Sequence, residues 1–211
     1  MPISQNKKLG CERPNNVIAR RNNGFVMDTG GIRESSFKKN WQGFKWEAIN
    51  PDQLEQIVYG IIESYQPYEI MRTSGSGGKG KDIVAKFRTI GHLNEEYNEI
   101  YHIEVKHSEV NRQVSVDQIQ TALTWVSVNK PNCFVMAVSS QLSSGTRDCL
   151  EIWRQAHPEI RVVLWQRDEI ETRILGIDKV REKAIEMKLL PKSIDDRALY
   201  LYSKLNNEDM L

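Results

Sequence analysis

The chain is organised around residues 82–106, which read DIVAKFRTIGHLNEEYNEIYHIEVK. Two segments of this stretch, Asp82–Phe87 and Ile100–Lys106, have the apolar and alternating character that predicts β-strands. The residues between them, from about Thr89 to Asn98, are polar and acidic and predict a loop. The stretch therefore predicts two neighbouring strands that can pair with each other.

Three charged residues of these strands form a candidate hydrolytic site. Side chains alternate between the faces of a strand, so Glu104 and Lys106 lie on one face, and pairing of the two strands brings Asp82 beside them. Two carboxylates supply the hard oxygen ligands that Mg²⁺ or Mn²⁺ prefers, and such an ion polarises a phosphoryl oxygen and lowers the pKa of a bound water. Lys106 would orient or help to deprotonate that water and offset charge on phosphorus. The pattern indicates metal-dependent hydrolysis of a phosphodiester.

The flanking segments predict an α/β sandwich in which helices flank a central mixed sheet. Pro51 opens a helix that Gln66-Pro67 ends, and a strand over Tyr68–Thr73 and a glycine-rich turn over residues 74–81 lead into Asp82. The predicted buried face of that helix comprises Leu54, Ile57, Val58, Ile61, Ile62 and Tyr65. The later predicted elements are a helix over Ser115–Val128, a strand over Asn132–Val138, a helix from Ser144 or Thr146 to about Ala156, a strand over Ile160–Trp165, and helices over Asp168–Leu175, Lys179–Leu190 and Ile194–Leu205.

Length and composition fit one globular domain in a reducing compartment. With 211 residues and 39% hydrophobic content, the chain can bury a core of ordinary size. No run approaches the roughly 18 to 20 apolar residues of a membrane helix, and the first ten residues do not predict a secretory signal. Cys11, Cys133 and Cys149 are widely spaced and odd in number, which argues against a disulfide framework and predicts a cytoplasmic protein. The net charge of +1 neither supports nor excludes a nucleic-acid partner.

Two other motifs compete with the proposed site. Glu186-Met187-Lys188 has the same acidic-x-Lys spacing, but it lies in a predicted amphipathic helix without an upstream acidic partner. Residues 75–81 nearly spell a P-loop, but Asp82 stands where Ser or Thr would bind Mg²⁺, and a strand follows instead of a helix. Taken alone, Glu104 and Lys106 would be an exposed ion pair on a strand. The order of the surrounding elements favours the catalytic interpretation.

That order resembles the PD-(D/E)xK nuclease superfamily, particularly Mrr-like type IV restriction endonucleases, over about residues 52–176. Residues 77–83 resemble the glycine-rich turn that ends in the metal-binding aspartate of the family. Residues 103–106 resemble its acidic-x-Lys strand, and residues 54–58 its first-helix pattern, in which a glutamate can join the metal site. Lys81 stands where the name-giving proline would precede the aspartate.

The resemblance implies a Mg²⁺-dependent DNA endonuclease, with Mn²⁺ as a substitute, acting in restriction or antiviral defence. The implied catalytic residues are Asp82, Glu104, Lys106 and Glu55, the implied metal contacts are Asp82, Glu104 and Val105, and the implied substrate-binding residues are Ser76, Lys79 and Lys81. Glu63 lies two turns beyond Glu55 on roughly the same helix face. The sequence leaves open which of these two glutamates joins the site.

Other interpretations remain open at this level. Residues 72–85 also resemble archaeal-type Holliday-junction resolvases, and the fold could serve as a non-catalytic DNA-binding or assembly module. One such site serves one strand, so a duplex cut suggests a homodimer, or the chain is a subunit of a larger defence complex. The expected organisation is an N-terminal arm or small extension over residues 1–45, a nuclease core over 46–176, and a C-terminal helical extension over 177–211. Trp41, Phe44 and Trp46 are expected to dock the arm onto the core.

Overall fold

The computed structural model describes residues 43–73, 82–91, 93–109 and 111–192. The elements in these ranges are α1 (Pro51–Ser64), β1 (Glu69–Arg72), β2 (Ile83–Ile90), β3 (Glu96–Lys106), α2 (Val116–Asn129), β4 (Cys133–Val138), α3 (Ser144–Ala156), β5 (Arg161–Trp165), α4 (Arg167–Gly176) and α5 (Asp178–Glu186). No helix among them has the length and apolar character needed to cross a membrane.

The strands form one mixed sheet in the order β1-β2-β3-β4-β5. The first three strands make an antiparallel meander, and β3, β4 and β5 run parallel to one another. Each parallel connection carries a helix, α2 between β3 and β4 and α3 between β4 and β5. The predicted α/β class, with a central mixed sheet flanked by helices, is confirmed.

The β2–β3 hairpin is longer than the sequence predicts. The loop predicted over Thr89–Asn98 is wrong for half of its length, because the two strands stay paired as far as Ile90 and Glu96. The Gly91 N–H donates to the Glu95 carbonyl at 2.9 Å and closes a short turn. The outer part of the hairpin is largely exposed, so polar side chains are tolerated there and the strand lacks the burial pattern that sequence reasoning detects.

Helix α1 begins at a capping box and buries the face that its spacing predicts. The Asn50 side chain accepts from the Gln53 N–H at 2.9 Å, and the Gln53 side chain accepts from the Asn50 N–H at 3.0 Å. The buried residues of this helix are Leu54, Ile57, Val58, Ile61 and Ile62. Tyr65, also predicted on that face, is instead 50% exposed, because the helix ends at Ser64 and the chain turns at Gln66, whose φ is 57°.

Strand β4 is buried along its whole length because helices cover both faces of the sheet. Its odd-numbered residues pack in one apolar cluster with α1, α4 and α5, and its even-numbered residues pack in a second cluster with α2 and α3. The continuous apolar run is typical of a strand covered on both sides, as predicted. The two clusters hold the sheet between two helical layers.

The later elements follow the predicted order with shifted ends. Ser143, rather than Ser144 or Thr146, caps α3, and its side chain accepts from the Thr146 N–H at 3.2 Å. Helix α5 ends at Glu186, before the predicted Leu190. The helix predicted over 194–205 lies outside the described residues.

A buried carboxylate fixes the segment that precedes α1. Glu171 of α4 accepts from the Phe44 N–H at 3.2 Å and from the Trp46 indole N–H at 3.1 Å. Both aromatic side chains are buried in the cluster that contains α1, and Leu189, beyond α5, belongs to the same cluster. Trp41 and the rest of residues 1–42 lie outside the described residues. The three-part organisation of the chain stays a prediction.

We expect Glu171→Gln to lower the free energy of unfolding by roughly 1 to 3 kcal/mol, because a buried donor loses its acceptor. A carboxylate offers an acceptor to each of the two donors, whereas the glutamine amide offers one oxygen and turns its own N–H groups toward the other donor. Urea unfolding with an unchanged m-value would measure this loss.

The exposed Glu159 provides the matched control. Glu159→Gln should unfold at the wild-type midpoint. Equal stability of the Glu171→Gln and wild-type proteins would contradict the anchoring role of this carboxylate.

Candidate active site

Asp82 is tied to β3 through both its main chain and its side chain. Its N–H donates to the Ile103 carbonyl at 2.9 Å, and its Oδ2 accepts from the Val105 N–H at 2.7 Å. The register that pairs Ile83 with Ile103 places Asp82 across from Glu104. The structure therefore brings together the two carboxylates that the sequence places on neighbouring strands.

Glu104 and Lys106 form an ion pair in which only the lysine reaches solvent. The Glu104 side chain is 3% exposed and the Lys106 side chain 29%, and the Lys106 Nζ lies 2.5 Å from Glu104 Oε1. The second oxygen, Glu104 Oε2, is buried and has no hydrogen-bond partner among the described residues. A buried, unpartnered carboxylate oxygen is costly in a folded protein and is a candidate ligand atom.

Burial and like charge both act against ionisation at this site. Burial raises the pKa of Glu104, and the carboxylate of Asp82 raises it further, while Lys106 acts in the opposite direction. Burial also raises the pKa of Asp82, against the hydrogen bond from Val105, and the Glu55 carboxylate adds to the increase. A cation beside the two carboxyl groups would stabilise their ionised forms.

Of the two glutamates left open by the sequence, the structure brings Glu55 toward the site. Its carboxylate is close enough to raise the pKa of both Asp82 and Glu104. Glu63 is exposed and lines a groove between α1 and α5. The role of Glu55 stays a proposal.

Arg72, at the end of β1, is a residue of this site that the sequence does not single out. Its Nη2 lies 2.7 Å from Glu55 Oε2 and 3.1 Å from Asp52 Oδ1. In the β1–β2 pairing, Arg72 lies opposite Ile83, which directly follows Asp82. The arginine thus holds Glu55 at the end of β1 where the chain returns to Asp82. The sequence signal that could have identified Arg72 is its position as a basic residue just before the predicted glycine-rich turn.

The donor set fits a magnesium ion that keeps much of its water. The described residues contain no cluster of three or more His, Cys, Asp or Glu side chains placed to hold a metal. Mg²⁺ is commonly bound through one or two carboxylates, with water and substrate phosphate completing its octahedron, and Asp82 and Glu104 match that requirement. The Val105 side chain has no ligand atom, so this residue could contribute only its main-chain oxygen.

The predicted substrate-binding residues Ser76, Lys79 and Lys81 lie outside the described residues. His107, which follows the site lysine, is hydrogen-bonded through Nε2 to the Ile49 carbonyl at 2.9 Å. That contact ties it to the segment before α1. This contact gives His107 a structural role.

The structure thus places two acids and a lysine together on neighbouring strands of a mixed sheet. Residues 46–174 match the family model Mrr_cat, described as restriction endonuclease. The match spans more than half of the 211 residues, and the chain belongs to this restriction endonuclease family.

Two solved structures are similar to the chain at low sequence identity. The DNA modification-dependent restriction endonuclease AspBHI is 14% identical, with 68% of this chain and 42% of that chain covered and a TM-score of 0.39. The MspJI restriction endonuclease in complex with a 27-mer oligonucleotide is 14% identical, with 72% of this chain and 34% of that chain covered and a TM-score of 0.49. The chain thus spans less than half the length of either protein. No curated protein gives a significant match.

We expect the metal-free protein to lose stability as the pH rises above about 4.5, the ordinary pKa of Glu104. The pKa of Glu104 is raised on folding, so the folded state holds this proton more tightly than the unfolded state does. The resulting stabilisation is complete below 4.5 and is lost as the pH rises through the folded pKa. Glu104→Gln removes this titration and should be more stable than wild type at neutral pH in EDTA, as measured by urea unfolding at several pH values.

Magnesium should reverse the order of stability. Wild-type protein gains stability from an ion that binds the folded state, and Glu104→Gln should gain less. The exposed Glu63→Gln is the control and should follow wild type in both conditions. A Glu104→Gln protein that is less stable than wild type at neutral pH in EDTA would contradict the electrostatic account of the site.

Proposed function

We propose that the chain is a Mg²⁺-dependent DNA endonuclease that hydrolyses phosphodiester bonds in restriction or antiviral defence, with Mn²⁺ as a substitute. The observation that carries the proposal is the buried Glu104 beside the half-buried Asp82, with Lys106 in contact and with no hydrogen-bond partner for Glu104 Oε2 among the described residues. A site of this kind has no evident structural benefit, because burial and like charge oppose its ionisation. Membership of the restriction endonuclease family supports the same reading.

The roles of the residues follow from their positions. When bound, Mg²⁺ would supply Lewis-acid activation of the scissile phosphate and of a water molecule. Asp82 and Glu104 would hold the ion, and the hydrogen bond from the Val105 N–H would keep the Asp82 carboxylate in place. Lys106, partly exposed, would position the attacking water, take part in moving its proton and offset charge on the phosphate.

Glu55 and Arg72 would act around this pair. Arg72 holds the Glu55 carboxylate by a contact of 2.7 Å, which keeps a third acid close to the site without placing it in the same cluster. Glu55 would then hold a water of the ion's shell or add negative charge that favours cation binding. This arrangement suits an ion bound chiefly through water and substrate.

The partner is DNA, in the cytoplasm, and the assembly is a homodimer or a larger defence complex. One site of this type cuts one strand, so cleavage of a duplex requires two sites or a second event. The family match favours a restriction endonuclease over a Holliday-junction resolvase. The presence of both acids and the lysine favours an enzyme over a silent module.

We expect Asp82→Asn to lose plasmid cleavage by at least about 100-fold while keeping its fold, because one neutral ligand replaces a charged one. Asparagine retains an oxygen that can accept from the Val105 N–H, and it relieves the repulsion with Glu104. Cleavage in Mg²⁺ or Mn²⁺, together with the circular dichroism spectrum, would test this.

The metals provide the internal control. Ca²⁺ should allow DNA binding with little turnover, since its coordination is looser, and EDTA should abolish cutting. Cleavage by a well-folded Asp82→Asn protein, or full activity in EDTA, would rule out the proposed site.

We expect Lys106→Ala to lose about 100-fold or more in single-turnover rate, while metal and DNA binding remain. The two acids are still present, so the loss should fall on the chemical step. Lys106→Arg should not restore the rate, because a guanidinium is bulkier, planar and permanently charged and cannot share its proton near neutral pH.

Lys188 supplies a control from the competing acidic-x-Lys motif. It lies beyond the end of α5 with a φ of 61°, far along the chain from the sheet site. Lys188→Ala should cleave at the wild-type rate. Equal losses at both lysines, or none at either, would show that Lys106 has no special role, and recovery by arginine would reduce its role to charge alone.

A further inference from the structure

A polar cavity of about 360 Å³ opens beside the candidate active site, at the carboxyl ends of β4 and β5. Ser140 and Gln141 follow β4, Gln166 and Arg167 follow β5, and Gln113 comes from the loop after β3. The volume is in the range of small-ligand sites. None of these residues has a part in the proposed hydrolysis.

The cavity lies where the connections of the sheet change sides. Helix α3, which follows β4, packs in the apolar cluster with α2, whereas α4, which follows β5, packs in the opposite cluster with α1. Two adjacent parallel strands whose helices depart to opposite faces leave a crevice outside their carboxyl ends, and ligands of open α/β sheets bind in such crevices. The topology thus creates the space independently of the catalytic residues.

Hydrogen bonds hold the walls of the cavity. The Ser140 hydroxyl donates to the Arg112 carbonyl at 2.6 Å, which fixes the loop after β3. The Arg167 guanidinium donates to the Ser139 carbonyl at 3.2 Å and lies over the Trp46 ring at 5.3 Å. A site with fixed walls loses little entropy when a ligand binds.

One buried polar atom at the cavity has no well-formed hydrogen bond within the part of the chain that the structure describes. Gln166 and Glu169 form a loose capping box in which Glu169 Oε2 accepts from the Gln166 N–H at 3.0 Å. Gln166 Oε1 is buried and faces the Glu169 N–H in this box, but it makes no well-formed hydrogen bond with any described residue. An acceptor left unsatisfied beside a cavity is a position for a ligand donor.

The chemistry of the lining favours a neutral, hydrogen-bonding ligand over an anion. The charges of Arg112 and Arg167 are balanced by those of Asp168 and Glu169, so the lining carries no net charge. Asn111, Gln113, Gln141 and Gln166 contribute amides, each with donors and an acceptor. Amides pair with the mixed donor and acceptor edge of a nucleobase, whereas a phosphate site would show excess positive charge.

The cavity is close enough to the site to share a DNA strand with it. The Ser139 N–H donates to the Lys106 carbonyl at 3.0 Å, and Ser140 at the cavity is the next residue. Neighbouring strands are about 4.8 Å apart, so the end of β5 lies roughly 10 Å from the end of β3. A nucleotide beside the scissile phosphate could reach this distance.

We propose that this cavity binds a single unpaired nucleobase next to the cleavage centre. The placement of that base within a DNA substrate rests on the proposed nuclease function, whereas the hydrogen-bonding chemistry of the cavity does not. The base would come from an unpaired position in DNA or from a free nucleoside. In either case the amides would bind its hydrogen-bonding edge, and Gln166 Oε1 would accept from one of its amino groups.

The test measures binding in EDTA, so that cleavage plays no part. Fluorescence anisotropy would compare duplexes with one unpaired base, each of the four in turn, against duplexes with an abasic unit at the same position. Wild-type protein should prefer at least one unpaired base by about tenfold, the effect of one well-made base contact. Gln113→Ala combined with Gln141→Ala should reduce that preference to within about twofold, without changing affinity for the fully paired duplex.

Gln155→Ala is the matched control, because Gln155 is exposed on α3 and lines a different groove, beside the start of β5. It should keep the wild-type preference. A second arm titrates free nucleosides by nuclear magnetic resonance. Binding that the double variant loses would assign the cavity to a nucleobase from solution.

Two results would overturn the proposal. One is wild-type protein that neither distinguishes the unpaired base from the abasic unit nor binds a nucleoside. The other is a preference that the double variant retains in full, which would place base recognition elsewhere. Plasmid cleavage in Mg²⁺ is measured separately and tests the nuclease proposal. Absence of cleavage would contradict that proposal without affecting the binding result in EDTA.

Discussion

The hydrogen bonds on both sides of β3 are the constraint on which the site depends. The last six residues of β3 pair with β4, and β2 together with Asp82 occupies the other side. The main chain at Glu104 therefore cannot shift outward to place its carboxylate in water. The acid stays buried next to Asp82, with one oxygen held by Lys106 and the other without a hydrogen-bond partner in the described ranges. A strand at the edge of the sheet would have allowed both acids to relax into solvent.

Apolar packing elsewhere in the fold stabilises the protein against the unfavourable burial of these two acids. Two clusters, one on each face of the sheet, bury side chains from all five described helices and from the central strands. Each fully buried aliphatic side chain contributes roughly 1.5 to 3 kcal/mol. This packing opposes the adverse electrostatics of the site. The carboxylates lie at the end of β3, where the clusters give way to solvent. The fold can thus hold charges that it would not tolerate at its centre.

Features with a strong period or a strict local rule could be predicted from the sequence. The spacing of Leu54 and Ile57 fixed the buried face of α1, the continuous run in β4 predicted a doubly covered strand, and alternation placed Glu104 and Lys106 together. The partnership of Asp82 with these residues required only that two neighbouring strands pair. Its role in catalysis, like theirs, stays a prediction.

Contacts made by tertiary packing could not be predicted. Arg72 meets Glu55 across 17 residues of sequence, and Glu171 meets Trp46 across 125, and neither separation has a periodic signal. The outer part of the β2–β3 hairpin was also missed, because a ribbon exposed on both faces needs no apolar alternation. The polar cavity depends on the side of the sheet to which each helix departs. That choice is a property of the whole fold and leaves no mark on any one segment.

The lengths of the two edge strands affect how copies of this protein can associate. In the described part of the chain, β1 has four residues and β5 has five, whereas β3 between them has eleven. Short edges offer few unpaired N–H and C=O groups to a strand from another molecule, and natural proteins use them to limit edge-to-edge aggregation. A sheet continued across two subunits is accordingly disfavoured here. Assembly through helices or loops would leave the carboxyl ends of the parallel strands uncovered and open to a ligand.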